Sequence, residues 1–295
     1  MDKVLAHAPV LVFLYNRPDH TESTLQALAG NQGAELATVI FYCDGPKDDE
    51  DYLLTRKVRE IASRYENCFA HVEYYFRDSN LGLADSLIRG ITQSISLHGA
   101  AIVLEDDLVT HPQTLEYFWL MLERYRNTER VFSISAYNFP ESLFRIPGSY
   151  RYPIYFVHRM QCWGWATWSD RWAKADWEVP GFDQFLADQD KVDSYVELIG
   201  RDSLGTLKAC LKDGKDVWAC RWVYCHFVNN AVSICPAVSY VDNIGLDGSG
   251  ANCGIDTKRR VQLIKDSRDT TAPTPEQPDV NPVLHEAYQR AFGLR

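Results

Sequence analysis

Four short apolar runs alternate with amphipathic segments in the first third of the chain. The runs occupy residues 10–14, 39–42, 71–76 and 100–104. Short runs of this kind are typical of strands buried on both faces of a parallel sheet. Between them apolar positions recur at helical spacing, as in Leu83, Leu87, Ile91 and Ile95. This alternation predicts an α/β fold with a mainly parallel, Rossmann-like sheet.

Local signals predict where two helices begin. Asp19 and Glu22 stand three residues apart before an apolar stripe, a spacing that resembles a capping box. We therefore expect the first helix to begin beside Asp19 and to end at Gly30. The acidic run 48–51 is typical of a solvated helix start.

The pattern becomes less regular after residue 107. A helix is predicted from residue 112 to about 125, a strand over 131–134, an extended arm from 269, and a terminal helix over 283–292. These changes divide the chain into a first half, 1–107, a second half, 108–267, and a C-terminal arm with a short helix, 268–295. We expect the two halves to form one domain.

Composition and charge narrow the classes of function. The 295 residues carry a net charge of −10 and are 46% hydrophobic, which is ordinary for a globular protein. An acidic chain does not bind nucleic acid through general electrostatics, so no nucleic-acid partner is expected. Any bound phosphate must then be neutralised locally, by a metal ion or by single cationic side chains. The N-terminus lacks the apolar core of a signal peptide, and no later stretch reaches the length of a membrane span. The eight cysteines contain no Cys-x-x-Cys pair, and a cytoplasmic protein with reduced thiols is expected.

Carboxylates follow the fourth apolar run directly, at Glu105, Asp106 and Asp107. Ligands of open α/β sheets bind beyond the carboxyl ends of the strands. Mg²⁺ and Mn²⁺ prefer oxygen ligands and are held by one or two carboxylates together with substrate phosphates. The run predicts a divalent cation site for a sugar nucleotide, with an acidic strand-to-loop turn as the alternative. Polar groups also follow the first two strands, and we expect all three strand ends to line one pocket.

Tryptophans are dense between residues 150 and 177, and Gly164 separates two of them, Trp163 and Trp165. Sugar rings stack on aromatic faces, and indole N–H groups donate to hydroxyls. This segment is therefore a candidate acceptor site, in which Gly164 lets the acceptor approach the backbone. Packing in the core is the alternative for most of these rings.

The order of several short motifs resembles the GT-A fold glycosyltransferases, specifically bacterial enzymes related to N-acetylglucosaminyltransferase I, of the family 2 type. The resemblance extends to about Cys253. The motifs are Phe13-Leu14-Tyr15-Asn16-Arg17-Pro18, Tyr42-Cys43-Asp44-Gly45, Asn80-Leu81-Gly82-Leu83, Val103-Leu104-Glu105-Asp106-Asp107, Gln161-Cys162-Trp163-Gly164-Trp165-Ala166-Thr167-Trp168 and Asn243-Ile244-Gly245. The resemblance implies a nucleotide-sugar-binding half followed by an acceptor-binding half.

The resemblance also implies roles for individual residues. Asn16 and Arg17 would contact the nucleotide or its diphosphate, Asp44 the base, and Asn80 the nucleotide. In the carboxylate run, Asp107 would ligate Mn²⁺ or Mg²⁺, Asp106 would approach the ribose, and Glu105 the donor sugar. Arg221 would face the diphosphate, unless it forms an ion pair at the edge of the core.

The chain departs from the family at the base that takes the acceptor proton. Ala219 stands where the related eukaryotic enzyme has an Asp after a Trp, so Asp216 and Asp247 are the nearest acidic candidates. The glycine-rich stretch 245–253 has the composition of a lid. Its Asn252 stands where similar bacterial sequences often carry His.

The expected function is metal-dependent transfer of a sugar from a nucleotide-diphosphate donor, taken as UDP-linked. The acceptor would be a saccharide or lipid-linked saccharide of bacterial surface polysaccharide, such as lipopolysaccharide, with the protein in the cytoplasm and in contact with the inner face of the membrane. One alternative is a catalytically inert nucleotide- or sugar-binding homologue. A sugar nucleotidyltransferase is the other, although it would need a glycine-rich basic loop where this chain has Tyr15-Asn16-Arg17-Pro18.

Overall fold

The computed structural model describes residues 7–250, 254–263, 266–270 and 272–293. Its strands are β1 (Val10–Leu14), β2 (Thr38–Cys43), β3 (His71–Phe76), β4 (Ala100–Glu105), β5 (Leu108–Thr110), β6 (Val131–Ser135), β7 (Ile154–Val157), β8 (Trp165–Trp168), β9 (Val232–Pro236) and β10 (Val241–Asn243). Its α-helices are α1 (Pro18–Ala29), α2 (Asp49–Arg64), α3 (Leu83–His98), α4 (Thr114–Arg124), α5 (Ser169–Trp172), α6 (Phe182–Ala187), α7 (Gln189–Leu198), α8 (Arg201–Lys212), α9 (Ala219–Val228) and α10 (Pro282–Ala291).

One sheet runs through both halves of the described chain, in the order β3-β2-β1-β4-β8-β6-β9-β7. The four strands of the first half are parallel, and Val12 of β1 lies opposite Phe41 of β2 and Leu104 of β4. β8 pairs antiparallel with β4 and with β6, while β6 and β9 are parallel. The predicted α/β class, with a mainly parallel sheet in the first half, is confirmed.

Helices cover both faces of this sheet because side chains alternate along its buried strands. Val10, Val12 and Leu14 of β1 point into a core shared with α1, α2, α4 and α10. Leu11 and Phe13 of the same strand point into a second core, which contains residues of α3 and four buried tryptophans, Trp165, Trp172, Trp218 and Trp222. The sequence of β1 shows no alternation of apolar and polar residues, because both faces of the strand are buried in apolar cores.

The predicted starts of the first two helices had different outcomes. The capping box was wrong: α1 begins at Pro18 with Arg17 at the N-cap position, and Asp19 lies within the first turn. Proline is favoured there because its fixed φ suits the helix and it has no N–H to satisfy. In α2, Asp48 is the N-cap and accepts from the Asp51 amide at 3.0 Å, as expected of a helix start.

The C-terminal arm lies across the second half and anchors α10. The Tyr125 hydroxyl donates to the Pro275 carbonyl at 2.6 Å, and Gln113 exchanges hydrogen bonds with the backbone of Arg268. Leu284 and Tyr288 of α10 are buried in the first core. Within the described ranges, no helix combines the length and the apolar character that crossing a bilayer requires.

Candidate active site

The carboxyl ends of β1, β2 and β4 open into one cavity of about 500 Å³. Of the residues predicted for the site, eight line it: Asn16, Arg17, Asp44, Asn80, Glu105, Asp106, Asp107 and Asp216. These side chains meet because parallel strands end at the same edge of the sheet. The structure therefore brings together the polar strand ends that the sequence singled out.

Asp44 organises the wall of the cavity beside β2. Its buried carboxylate accepts from the backbone amides of Gly45 at 2.9 Å, Leu81 at 3.0 Å and Gly82 at 3.2 Å, and from the Asn80 side chain at 3.1 Å. These bonds hold the loop after β3 against the end of β2. The hydrogen bond between Asp44 and Asn80 therefore helps to fix this wall of the cavity.

Arg17 forms ion pairs with both aspartates that follow β4. Its Nε and Nη2 donate to Asp106, and Nη2 also lies 2.8 Å from Oδ2 of Asp107. Burial lowers the pKa of the Arg17 guanidinium, but the charge and hydrogen bonds of Asp106 and then Asp107 outweigh burial, so the net shift is upward. In the described part of the chain, Nη1 is buried without a hydrogen-bond partner.

Glu105 lies in the same acidic group. Burial, followed by the negative charges of Asp107 and Asp106, raises the pKa of its carboxyl to about 8 against the opposing effect of Arg17. Burial likewise raises the pKa of Asp106. Three carboxyl groups in so small a volume favour either retained protons or a bound cation.

The oxygen donors fit a hard divalent cation, although Arg17 competes for them. Among the described residues, no group of three or more His, Cys, Asp or Glu side chains is arranged to hold a metal. A sugar-nucleotide site needs only one or two carboxylates, because phosphate oxygens complete the coordination. A cation at Asp107 would have to share that carboxylate with Arg17. Gly245 lies against the same carboxylate, and a side chain at this position would collide with Oδ2 of Asp107.

Sequence reasoning missed a second group of residues at the rim. Asp51 accepts from the Tyr15 hydroxyl and from the Asn16 side chain at 2.6 Å, and it also accepts from the Lys47 amide at 3.3 Å. Burial raises the pKa of Asp51, but the hydrogen bonds from Tyr15 and Asn16 lower the pKa by more, so the net shift is downward. The acidic run 48–51 is thus a helix start whose last member fixes the end of β1.

Asp216 and Asp247 occupy different positions relative to the cavity. Asp216 lines it and accepts from the amides of Leu83 at 2.7 Å and Ala84 at 2.8 Å. Asp247 is exposed and accepts from the amide of Ser249, which lines the cavity, and its Oδ2 lies 3.1 Å from Nε2 of His20 in α1. Hydrogen bonding from Ser249 lowers the pKa of Asp247 to about 2.

The three residues predicted for the acceptor site are not equivalent. Trp163 is half-buried and packs edge-on against Tyr137, with ring centroids 4.5 Å apart. Gly164 has a φ of 68°, and a Cβ atom there would lie 3.2 Å from Val241. Trp165 is fully buried and stacks on Trp218 at 5.1 Å. Its position in the core leaves Trp165 no face for a sugar, contrary to the expectation for this residue.

Arg221 and the predicted lid, residues 245–253, were also expected to belong to the site. Arg221 lies in the first turn of α9 and is not among the residues that line the cavity. Its Nε is buried without a hydrogen-bond partner in the described ranges. Of the predicted lid, residues 245–250 are described, whereas Asn252 and Cys253 lie outside the described residues.

Comparisons with known proteins give distant structural matches. No protein-family model matches the chain, and no curated protein matches its sequence. A mannosyltransferase, PcManGT from Pyrobaculum calidifontis in complex with GDP-Man and Mn²⁺, matches at 13% identity and a TM-score of 0.39, over 56% of this chain and 45% of that one.

Two more solved structures match at similar levels. TarS 1-349 from S. aureus matches at 11% identity and a TM-score of 0.44, over 79% of this chain and 59% of that one. A UDP-glucose pyrophosphorylase complexed with UDP-glucose matches at 10% identity and a TM-score of 0.40, over 81% of this chain and 94% of that one. This chain therefore spans less than two thirds of the mannosyltransferase and of TarS. Similarities this distant do not establish a shared activity.

Proposed function

We propose that the protein is a GT-A glycosyltransferase that moves a sugar from a nucleotide-diphosphate donor, taken as UDP-linked. One observation carries this proposal: the carboxylates after β4, Arg17 after β1 and the Asp44–Asn80 pair line a single cavity at the carboxyl edge of a parallel sheet. That edge is where α/β sheets bind nucleotides. The cavity volume of about 500 Å³ lies in the range of small-molecule sites.

The donor would lie across the strand ends. Arg17 and Lys47 are the cationic side chains among the described lining residues, and they are suited to the diphosphate. Asp44, Asn80 and Asn16 would form the polar wall for the nucleoside, and Glu105 would approach the donor sugar. Asp106 would approach the ribose once Arg17 turns from it towards phosphate. Arg221 remains a candidate for the diphosphate only if α9 shifts towards the cavity.

Asp107 would hold Mn²⁺ or Mg²⁺. A divalent cation bound there would neutralise the charge that develops on a departing diphosphate. Arg17 would add its positive charge to the same phosphate oxygens. Because Arg17 already pairs with both Asp106 and Asp107, the residues hold the site together before any donor arrives.

The acceptor would enter from the second half. Trp163 offers a partly exposed ring, and Asp247 is our candidate for the proton acceptor because it lies on the loop whose Ser249 and Gly250 line the cavity. With its pKa near 2, Asp247 is fully ionised at neutral pH. A saccharide or lipid-linked saccharide of bacterial surface polysaccharide is the acceptor class we propose, at the inner face of the membrane.

Calorimetry with UDP and Mn²⁺, followed by a donor panel, tests this function. We expect UDP binding that Mn²⁺ strengthens, and hydrolysis or transfer of at least one nucleotide sugar. Asp107→Ala should abolish the Mn²⁺ effect, whereas Asp49→Ala, an exposed acidic neighbour on α2, should leave it unchanged.

One observation favours a second candidate, a catalytically inert nucleotide-binding homologue. Arg17 occupies both aspartates and so replaces a cation within the protein itself. UDP binding of equal strength with Mn²⁺ and with a chelator, and no turnover of any donor, would support this candidate and contradict the transferase.

A further inference from the structure

Two carboxylates bind four successive backbone amides in the wall of the cavity. Asp44 accepts from Leu81 and Gly82. Asp216 accepts from the next two amides, those of Leu83 and Ala84, which open α3. The amides belong to one continuous stretch, whereas Asp44 comes from the first half of the chain and Asp216 from the second. The stretch 80–84, here called the wall segment, is therefore held from both halves.

The local sequence of the wall segment requires a partner of this kind. The N-cap of α3 is Gly82, which has no side chain to accept from the first amides of the helix. Gly82 has a φ of 83°, and a Cβ atom there would lie 2.7 Å from Oδ2 of Asp216. A larger residue would thus displace the carboxylate that replaces the missing cap. A carboxylate at this position also interacts favourably with the helix dipole.

The loop that carries Asp216 is anchored in the core. Trp218 is 2% exposed and stacks on Trp165, and the Cys210 thiol donates to the Val217 carbonyl at 3.2 Å. Asp216 itself is exposed at the rim of the cavity. The packing of α8 and α9 thus sets the position of Asp216, and the hydrogen bonds of Asp216 in turn fix the wall segment.

We propose that Asp216 is a positioning residue that sets the affinity for the nucleotide part of the donor by fixing the wall segment against the loop 213–218. This inference deepens the proposed function and depends on it for the affinity measurement. A general base needs a lone pair directed at the acceptor hydroxyl. Each oxygen of Asp216 accepts from one amide at the start of α3, and these two bonds tie the carboxylate to the wall segment.

Hydrogen exchange tests the positioning without any ligand. In Asp216→Ala the amides of Leu83 and Ala84 should exchange about tenfold faster, the size expected for a lost helix cap. Asp216→Asn keeps one acceptor oxygen and should give a smaller increase. Asp213→Ala, an exposed aspartate of the same loop, is the matched control and should exchange like the unaltered protein. Unchanged exchange in Asp216→Ala would overturn the proposal.

UDP affinity in the presence of Mn²⁺ separates positioning from catalysis. The dissociation constant should rise about tenfold in Asp216→Ala and less in Asp216→Asn, with an unchanged pH profile of kcat. A general base would instead lose about 10²- to 10⁴-fold in kcat in both variants, with UDP affinity intact, and that result would overturn the positioning role. If the unaltered protein binds no UDP, the proposed function fails, while hydrogen exchange still decides the role of Asp216.

Discussion

Gly45 lies directly against Ser79, and a Cβ atom on Gly45 would be 2.4 Å from the Ser79 carbonyl carbon. The contact joins the end of β2 to the loop after β3. It lies next to Asp44, whose carboxylate bonds to the same loop. No side chain can separate the two backbones without moving the wall of the cavity.

Replacing Gly45 with Ala should therefore damage both stability and nucleotide binding. Three backbone atoms of Ser79 lie within 2.6 Å of the added carbon, and a backbone contact relaxes poorly. We expect a loss of about 1–3 kcal/mol in the free energy of unfolding, as for other overpacked sites, and weaker UDP binding. Chemical denaturation and calorimetry measure these effects. Gly148→Ala is the control, because nothing lies within 4 Å of its added carbon; equal losses in both variants would contradict the argument.

The strand-end residues were predictable because their signal is local. An apolar run followed by Glu105, Asp106 and Asp107 identifies both a strand and the chemistry at its end, and all three line the cavity. The partners of these residues were not predictable. Asp51 is 36 positions from Tyr15, and Asp216 is 133 positions from Leu83, so no periodicity relates them. Such contacts depend on how helices pack on the sheet.

Tryptophan spacing was a weaker guide, since Trp163 and Trp165 differ in burial although they are two residues apart. We expect Trp165→Phe to lower the free energy of unfolding by about 1–3 kcal/mol, because it leaves a cavity beside Trp218. Trp163→Phe should change stability less and raise the KM for the acceptor. Thermal denaturation with acceptor kinetics distinguishes the two; a KM effect confined to Trp165→Phe would reverse the assignment.

Glu105 should make the protein less stable as the pH rises. Its carboxyl has a pKa of about 8 in the folded protein, against 4.5 as its ordinary value. Between these pH values the folded chain keeps a proton that the unfolded chain releases, so the free energy of unfolding falls by up to about 1.4 kcal/mol per pH unit. Glu105→Gln should reduce this slope in a denaturation series between about pH 5 and pH 8. Glu60→Gln, at an exposed site, should retain it.

His226 should have the opposite effect at acidic pH. It is fully buried, with Nε2 3.0 Å from the Ser133 hydroxyl and Nδ1 2.8 Å from the Trp222 carbonyl, and burial lowers its pKa from 6.5 to about 4. The unfolded chain binds the proton first, so stability falls as the pH drops through this range, by up to about 1.4 kcal/mol per pH unit. Denaturation should show a shallower slope in His226→Gln than in His71→Gln, whose ring is exposed. Identical slopes would contradict this argument, because they would mean that folding does not change the pKa of His226.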